Sequence, residues 1–143
     1  MTDHDSEHEI KTYPLSPAQE RVLAETLLSD DSSVYNMVSV MRIRDRWDDD
    51  CFLRAFRLLG VRYPVLRTTV YVKEGESGQF VDEKKELPCR VSIAESIEDY
   101  VAEETSFKFD LASDCLFHGH LVHCKDCDKL IENANHIILD GYS

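Results

Sequence analysis

The stretch CLFHGHLVHCKDCDKLIENANHIILDG, residues 115–141, decides the fold class. Apolar and polar residues alternate in it, the polar group KDCD at 125–128 interrupts the pattern, and apolar residues then continue toward Asp140. Alternation on both sides of a polar turn is typical of two antiparallel strands joined as a hairpin. We therefore predict a terminal β-hairpin, with a lone His136 near the end of its second strand.

Helix and strand patterns alternate through the chain before this hairpin. Ser16, Pro17 and Gln19 are spaced as a helix N-cap, a first-turn proline and the third residue of a capping box. The other predicted elements are a strand at 34–44, a helix from the acidic residues at 48–50, a hairpin with a longer loop within 65–84, a strand at 89–93 and a helix beginning at Ser96. This order predicts an α/β domain, an α+β two-layer sandwich with a mixed sheet, about three helices and about six strands.

Two apolar stripes are predicted to face the core. They have helical spacing, which places their members on one side of each helix. The first helix contributes Val22, Leu23, Thr26 and Leu27, and the second contributes Phe52, Ala55, Phe56 and Leu59.

Composition narrows the possible partners. The 143 residues suffice for one domain, and no run of about 18 apolar residues is available to span a bilayer. The net charge of −12 opposes binding to a phosphate backbone, so neither nucleic acid nor membrane is a predicted partner. The acidic residues 1–12 resemble no export signal and are predicted to form a disordered tail. We expect a cytoplasmic protein whose five cysteines are reduced thiols.

The hairpin stretch is rich in residues of zinc-ligand type. Alternation places His118, His120 and Cys124 on one face and His123 on the other, and a second Cys-x-x-Cys or a well-spaced histidine pair is missing. A sheet hairpin therefore explains these residues better than a structural zinc site does, and no metal is predicted. The full set is Cys115, His118, His120, His123, Cys124 and Cys127.

Five collinear stretches together resemble the amino-terminal lobe of a nonribosomal peptide synthetase condensation domain. They are YPLSPAQERV (13–22), SVYNMVSV (33–40), RYPVLRTTV (62–70), FKFDL (107–111) and NHIILDGYS (135–143). That family belongs to the acyltransferases with the chloramphenicol acetyltransferase fold and carries a His-His-x-x-x-Asp-Gly sequence. The resemblance covers residues 13–143, which we predict to be the lobe.

The resemblance implies amide or ester formation between thioesters carried on the phosphopantetheine arms of acyl or peptidyl carrier proteins, with no cofactor bound directly. It gives His136 the catalytic role of positioning or deprotonating the attacking amine. A neutral imidazole is suited to this because it titrates near neutral pH. The resemblance also implies that Asp140 pairs with Arg67 to support the site. A buried carboxylate needs such a cation.

The end of the motif carries two further implied roles and one departure. Gly141 and Ser143 are implied to line the passage for the substrate arm. The first histidine of the motif is replaced by Asn135, which is implied to support the site and can hydrogen bond but cannot titrate.

The resemblance also implies a second, carboxy-terminal lobe, which we expect this chain to lack. Half of a cleft leaves the reacting groups in solvent, so the lobe is expected to be inactive without that second lobe, another synthetase domain or self-association. Two alternatives remain open. One is half of a stand-alone acyltransferase that uses coenzyme A or a carrier, and the other is a non-catalytic module that docks carrier proteins.

Overall fold

The computed structural model describes residues 10–140, which form three helices and seven strands. The helices are α1 (Pro17–Leu28), α2 (Asp49–Arg62) and α3 (Glu98–Ser106). The strands are β1 (Thr12–Tyr13), β2 (Asn36–Ile43), β3 (Thr68–Lys73), β4 (Glu76–Val81), β5 (Cys89–Ile93), β6 (Phe117–His123) and β7 (Asp128–Asn135). Short 3₁₀ turns at Ser32–Tyr35 and Pro64–Arg67 lead into β2 and β3.

The strands form two sheets. The larger has the order β2-β7-β6-β5, in which β5 runs parallel to β6 and the other pairs are antiparallel. The smaller has the order β1-β4-β3 and is antiparallel. The predicted α/β class, mixed sheet and three helices are confirmed. Thr12, predicted to belong to the tail, instead lies in β1 and pairs with Phe80 of β4.

The predicted terminal hairpin is the centre of the larger sheet. Its register runs from His123 opposite Asp128 to Phe117 opposite Ala134. Strand β7 also pairs with β2 along its whole length, so its backbone is hydrogen-bonded on both sides. This central position fixes the end of β7, from which the loop carrying His136 leaves the sheet.

Helix α1 has the capping box that its sequence predicts. The Ser16 hydroxyl accepts the Gln19 amide hydrogen, and the Gln19 side chain accepts the Ser16 amide hydrogen. Val22 and Leu23 are buried, but Leu27 is 66% exposed, so its predicted place in the core stripe is wrong. The last turn of α1 extends beyond the core that Val22 and Leu23 contact.

Helix α2 covers one face of the larger sheet. Its Phe56 is buried and stacks on Phe117 of β6, with ring centroids 5.5 Å apart. Phe52 is also buried and Leu59 is half-buried, as predicted, whereas Ala55 is exposed and does not belong to the core stripe. The ring of Phe56 fills the space that Gly119, lacking a Cβ, leaves open on β6.

Helix α3 covers the opposite face of the sheet. Tyr100 packs edge to face on His120, with ring centroids 4.5 Å apart. Phe107, just after the helix, packs on His118 in the same way, with centroids 4.8 Å apart. The helix begins at Glu98 with Ile97 in the cap position, so the predicted start at Ser96 is early.

The turn between β3 and β4 is shorter than predicted. Glu74 and Gly75 make a two-residue turn, and both have positive φ, at 54° and 85°. Two positive φ values give the turn a twist that matches the flanking strands, and glycine adopts such values without strain. Ser77, which a longer loop would include, lies within β4 instead.

The core lies between the sheets and the helices. Leu116, Leu121 and Val122 are completely buried, and Val70 and Ile131 nearly so. No helix in the described part of the chain has the length and apolar composition that crossing a bilayer requires.

Candidate active site

His136 lies on a loop immediately after β7. Its neighbours Asn135 and Ile137 are buried, whereas His136 itself is exposed. The loop therefore presents the imidazole to solvent between two anchored residues. A ring in this position can reach a ligand at the surface of the lobe.

Backbone hydrogen bonds hold this loop. The amide of His136 donates to the carbonyl oxygen of Tyr35 at 2.8 Å, and the amide of Asn135 donates to that of Leu116 at 2.9 Å. The side-chain oxygen of Asn135 accepts the Ile137 amide hydrogen at 3.0 Å, a local turn that asparagine favours. Asn135 thus shapes the loop without needing to titrate.

Helix α1 makes a further contact with the loop that the sequence did not predict. The side-chain amide of Gln19 donates to the carbonyl oxygen of Ile137 at 3.1 Å, and it pairs with the amide of Gln79 on β4 at 2.9 Å. The sequence suggested only a capping role for Gln19. Its place in the LSPAQ stretch, and that of Tyr35 in the VYN stretch, were the available signals.

Changing Gln19 to glutamate is expected to loosen the His136 loop. Glutamate keeps the acceptor that completes the capping box but replaces the amide donor to Ile137 with an oxygen. We expect a loss of about 1 kcal/mol in the free energy of unfolding. Hydrogen exchange should show faster exchange of the Ile137 and Ile138 amides.

Ser16→Ala is the matched control for Gln19→Glu. It removes the hydroxyl that caps α1 and leaves the Gln19 amide in place. It should destabilise the helix start by about 1 kcal/mol without selectively exposing the loop amides. Equal exchange from the loop in both variants would contradict the positioning role of Gln19.

Arg67 anchors the chain between α2 and β3. Its Nε donates to the carbonyl oxygen of Gly60 at 2.8 Å, and its Nη1 lies 3.4 Å from that of Asp82. Asp140 is exposed at the end of the described chain. The predicted pairing of Arg67 with Asp140 stays a prediction, and Gly141 and Ser143 lie outside the described residues.

The three histidines of β6 divide between the two faces of the sheet as predicted. His118 and His120 point toward α3, and His123 points toward α2. Among residues 10–140, no three His, Cys, Asp or Glu side chains are grouped so that they could hold a metal ion. Each of these histidines is instead hydrogen-bonded to protein groups.

His120 is a buried neutral imidazole. Burial, and then the Arg90 guanidinium beside it, lower its pKa to about 4. Arg90 Nε donates to Nδ1 at 3.1 Å, which places the ring hydrogen on Nε2, 2.9 Å from the Ser92 hydroxyl. Both ring nitrogens of His120 are therefore hydrogen-bonded within the protein, and the residue has a structural role.

His123 is held between two carboxylates. Its Nδ1 is 2.8 Å from Asp128, which is buried and also accepts the Trp47 amide hydrogen, and its Nε2 is 2.6 Å from Asp49 at the start of α2. The hydrogen bond to Asp128 and then that to Asp49 raise the pKa of His123 above its usual 6.5. Both hydrogen bonds favour the protonated ring, and through them His123 joins α2 to the hairpin.

The stability that His123 provides is expected to fall as the pH rises above 6.5. Because its folded pKa is raised, this contribution is complete below pH 6.5 and is lost as the pH rises through the folded value. Denaturant unfolding at several pH values should show the loss. Asp49→Asn should flatten the curve above pH 6.5, and an unchanged slope would contradict this account.

Glu104 of α3 is a buried carboxylate. Hydrogen bonding to His118 and then to Asn133 lowers its pKa against the opposing effect of burial. Its backbone carbonyl oxygen accepts hydrogen bonds from the side-chain amides of Asn133 and Asn36. A cavity of about 220 Å³ lies beside this cluster, and His136 does not line it. The cluster joins α3 to the sheet away from the candidate active site.

The geometry defines a class of protein: an α/β lobe that presents one exposed histidine on a constrained loop at the end of a central strand. The Condensation domain family matches residues 9–143. Surfactin synthase subunit 1 of Bacillus subtilis (strain 168) and tyrocidine synthase 3 of Brevibacillus parabrevis are each 32% identical to the chain over 92% of its length. The chain belongs to the condensation-domain family.

Solved structures show the same fold. The starter condensation domain of rhizomide synthetase superposes with a TM-score of 0.80 at 22% identity, over 92% of this chain. The epimerization domain from the third module of tyrocidine synthetase B gives a TM-score of 0.77 at 20% identity, over 94% of this chain. The chain spans 34% and 31% of those two structures. It spans 4% of surfactin synthase subunit 1 and 2% of tyrocidine synthase 3.

Proposed function

We propose that this chain supplies the histidine-bearing lobe of a condensation site that joins two carrier-bound substrates through an amide or ester bond. The observation that carries the proposal is the exposed His136. Its loop is held by residues from three of the five collinear stretches that resemble the condensation domain. The Gln19 side chain and the Tyr35 carbonyl oxygen hydrogen bond to the backbone of this loop. The Asn135 side chain makes a hydrogen bond within the loop. A loop constrained in this way can hold an imidazole in one place against a substrate.

The role assigned to His136 is to accept a proton from the attacking amine, or to orient that amine, during aminolysis of a thioester. The nitrogen of the attacking amine forms a bond to the thioester carbon, the carbon–sulfur bond breaks, and the thiolate leaves. A neutral imidazole accepts the proton that the nitrogen sheds or orients its lone pair by a hydrogen bond, and the leaving thiolate finally takes up a proton. No other titratable group of the described loop residues 136–139 is available for this role.

The relatives support this choice of substrate class. One structure of the rhizomide synthetase starter domain is in complex with C8-CoA and Leu-SNAC. We propose that the thioesters reach His136 on the phosphopantetheine arms of carrier proteins in the cytoplasm, and that the lobe itself binds no cofactor. A carboxy-terminal lobe, or another synthetase domain, then covers the site.

The remaining residues of the motif have supporting roles in this proposal. Asp140 pairs with Arg67, whose guanidinium is already anchored to the backbone by the carbonyl oxygen of Gly60. Gly141 and Ser143 line the passage for the arm. Asn135 takes the place of the first histidine of the family motif and contributes hydrogen bonds instead of a second titrating ring.

A reconstitution assay tests the proposal. The chain is fused to the carboxy-terminal remainder of a related condensation domain and given donor and acceptor carrier proteins loaded with phosphopantetheine thioesters. Amide product detected by mass spectrometry supports the proposal. Product from coenzyme A thioesters but not from loaded carriers would favour the stand-alone acyltransferase.

Binding without turnover would favour the third possibility. The replacement of the first motif histidine by Asn135 is the feature that argues for a docking module. Tight carrier binding by the fused protein, with no amide formed by either Asn135 or an Asn135→His variant, would support docking and reject catalysis. Recovery of turnover in Asn135→His alone would instead show that the asparagine limits the rate.

A further inference from the structure

We propose that Cys124 and Cys127, in the turn between β6 and β7, form a reversible redox site that closes to an intramolecular disulfide. The Cys-x-x-Cys spacing has no part in the proposed condensation chemistry. In the structure both cysteines are free thiols, and both are partly exposed.

The hairpin register, extended one step beyond its last pair, places the two cysteines opposite each other. His123 pairs with Asp128 as the last pair of the ladder, and Cys124 and Cys127 are the next residues outward on each strand. Directly opposed antiparallel residues have Cα atoms about 4.5–5.5 Å apart, and disulfides span about 4.4–6.8 Å. A Cα separation in this range would let the disulfide close without requiring the sheet to move.

The two thiols also interact electrostatically. Burial, and then the neighbouring Cys127, raise the pKa of Cys124. This effect is independent of the register argument and indicates that the sulfur atoms are close. The raised pKa makes thiolate, the reactive form, scarcer at neutral pH, so oxidation is expected to be faster at alkaline pH.

The closing reaction is a thiol–disulfide exchange with a small disulfide oxidant such as oxidised glutathione. One cysteine thiolate attacks the oxidant, forms a mixed disulfide and releases one glutathione thiolate. The second cysteine thiolate then attacks the protein sulfur of that mixed disulfide and releases the other. The two protein thiols lose two electrons and two protons in total, and the oxidant is reduced to two thiols.

The disulfide would stiffen the turn beside the His123–Asp128 pair without reaching the candidate active site. Strand β7 begins at Asp128, next to the cysteines, and ends at Asn135, next to His136. Seven residue steps of a strand separate these ends by about 23 Å. We therefore expect oxidation to change the stability of the hairpin and to leave the His136 loop unchanged.

Peptide mapping tests the proposal. The protein is equilibrated with oxidised and reduced glutathione at about pH 8.5, the remaining thiols are alkylated, and the chain is cut with trypsin. Cleavage after Lys125 separates the two cysteines, so their peptides stay joined only through a disulfide. We expect a joined, reductant-sensitive pair of peptides and a higher melting temperature for the oxidised protein.

Three variants make the result decisive. Cys124→Ser and Cys127→Ser should each abolish the link, while Cys51→Ser, which changes an exposed cysteine on α2, should leave it intact. A link that survives in Cys124→Ser would show pairing between Cys115 and Cys127 and would overturn the proposal. Thiols that all remain alkylatable after oxidation, or links formed only between chains, would overturn it equally.

Discussion

Replacing His136 by alanine is expected to lower the rate of amide formation by roughly 10²–10⁴-fold in the fused, complete domain. The variant removes the titratable ring that the loop presents to solvent. The hydrogen bonds that hold the loop come from backbone atoms and from the side chains of Asn135 and Gln19, so they remain. The measurement is single-turnover product formation on loaded carrier proteins.

The fold provides a control for the His136 experiment. Because the ring is exposed, His136→Ala should unfold within about 0.5 kcal/mol of the parent, which separates a chemical effect from a structural one. A second variant, His136→Gln, keeps a hydrogen-bonding side chain that cannot act as a base. Activity retained in the glutamine variant would indicate positioning, and activity retained in the alanine variant would reject the catalytic assignment.

The features that the sequence predicted correctly depend on neighbouring residues. The capping box of α1 joins Ser16 and Gln19, three residues apart, and the terminal hairpin follows from alternation around one turn. Such patterns can be read from the sequence because the contacts they predict are within one helical turn or between two consecutive strands. The exposure of His136 could not be predicted in this way, and its catalytic role was expected only from the resemblance to a family.

The features that the sequence did not predict depend on contacts between distant residues. The bond from Gln19 to Ile137 joins residues 118 positions apart, and the burial of Glu104 depends on His118 and Asn133 from two strands. A helical stripe shows which side of a helix is apolar but not how far that side is covered. Leu27 is exposed for this reason.

Replacing Gly119 by alanine is expected to destabilise the lobe by about 3 kcal/mol, or roughly 6–12 °C in Tm. A Cβ at this position would lie 2.3 Å from two ring carbons of Phe56, much closer than atoms can approach. The ring has little room to move because it is buried and stacks on Phe117. It also packs against Phe52, with the two ring centroids 5.7 Å apart. Denaturant unfolding of both proteins measures the difference.

A double-mutant cycle identifies the cause of that loss. Phe56→Leu removes the ring that meets the new methyl group and should itself cost about 1–3 kcal/mol through the smaller contact area and the space left behind. If the clash is the cause, Gly119→Ala should cost much less in the Phe56→Leu background, with a coupling of about 1–3 kcal/mol. Additive losses would show that the glycine is required for its backbone and not for the ring above it. The packing of α2 on the sheet would then not depend on the contact between Phe56 and the Gly119 backbone.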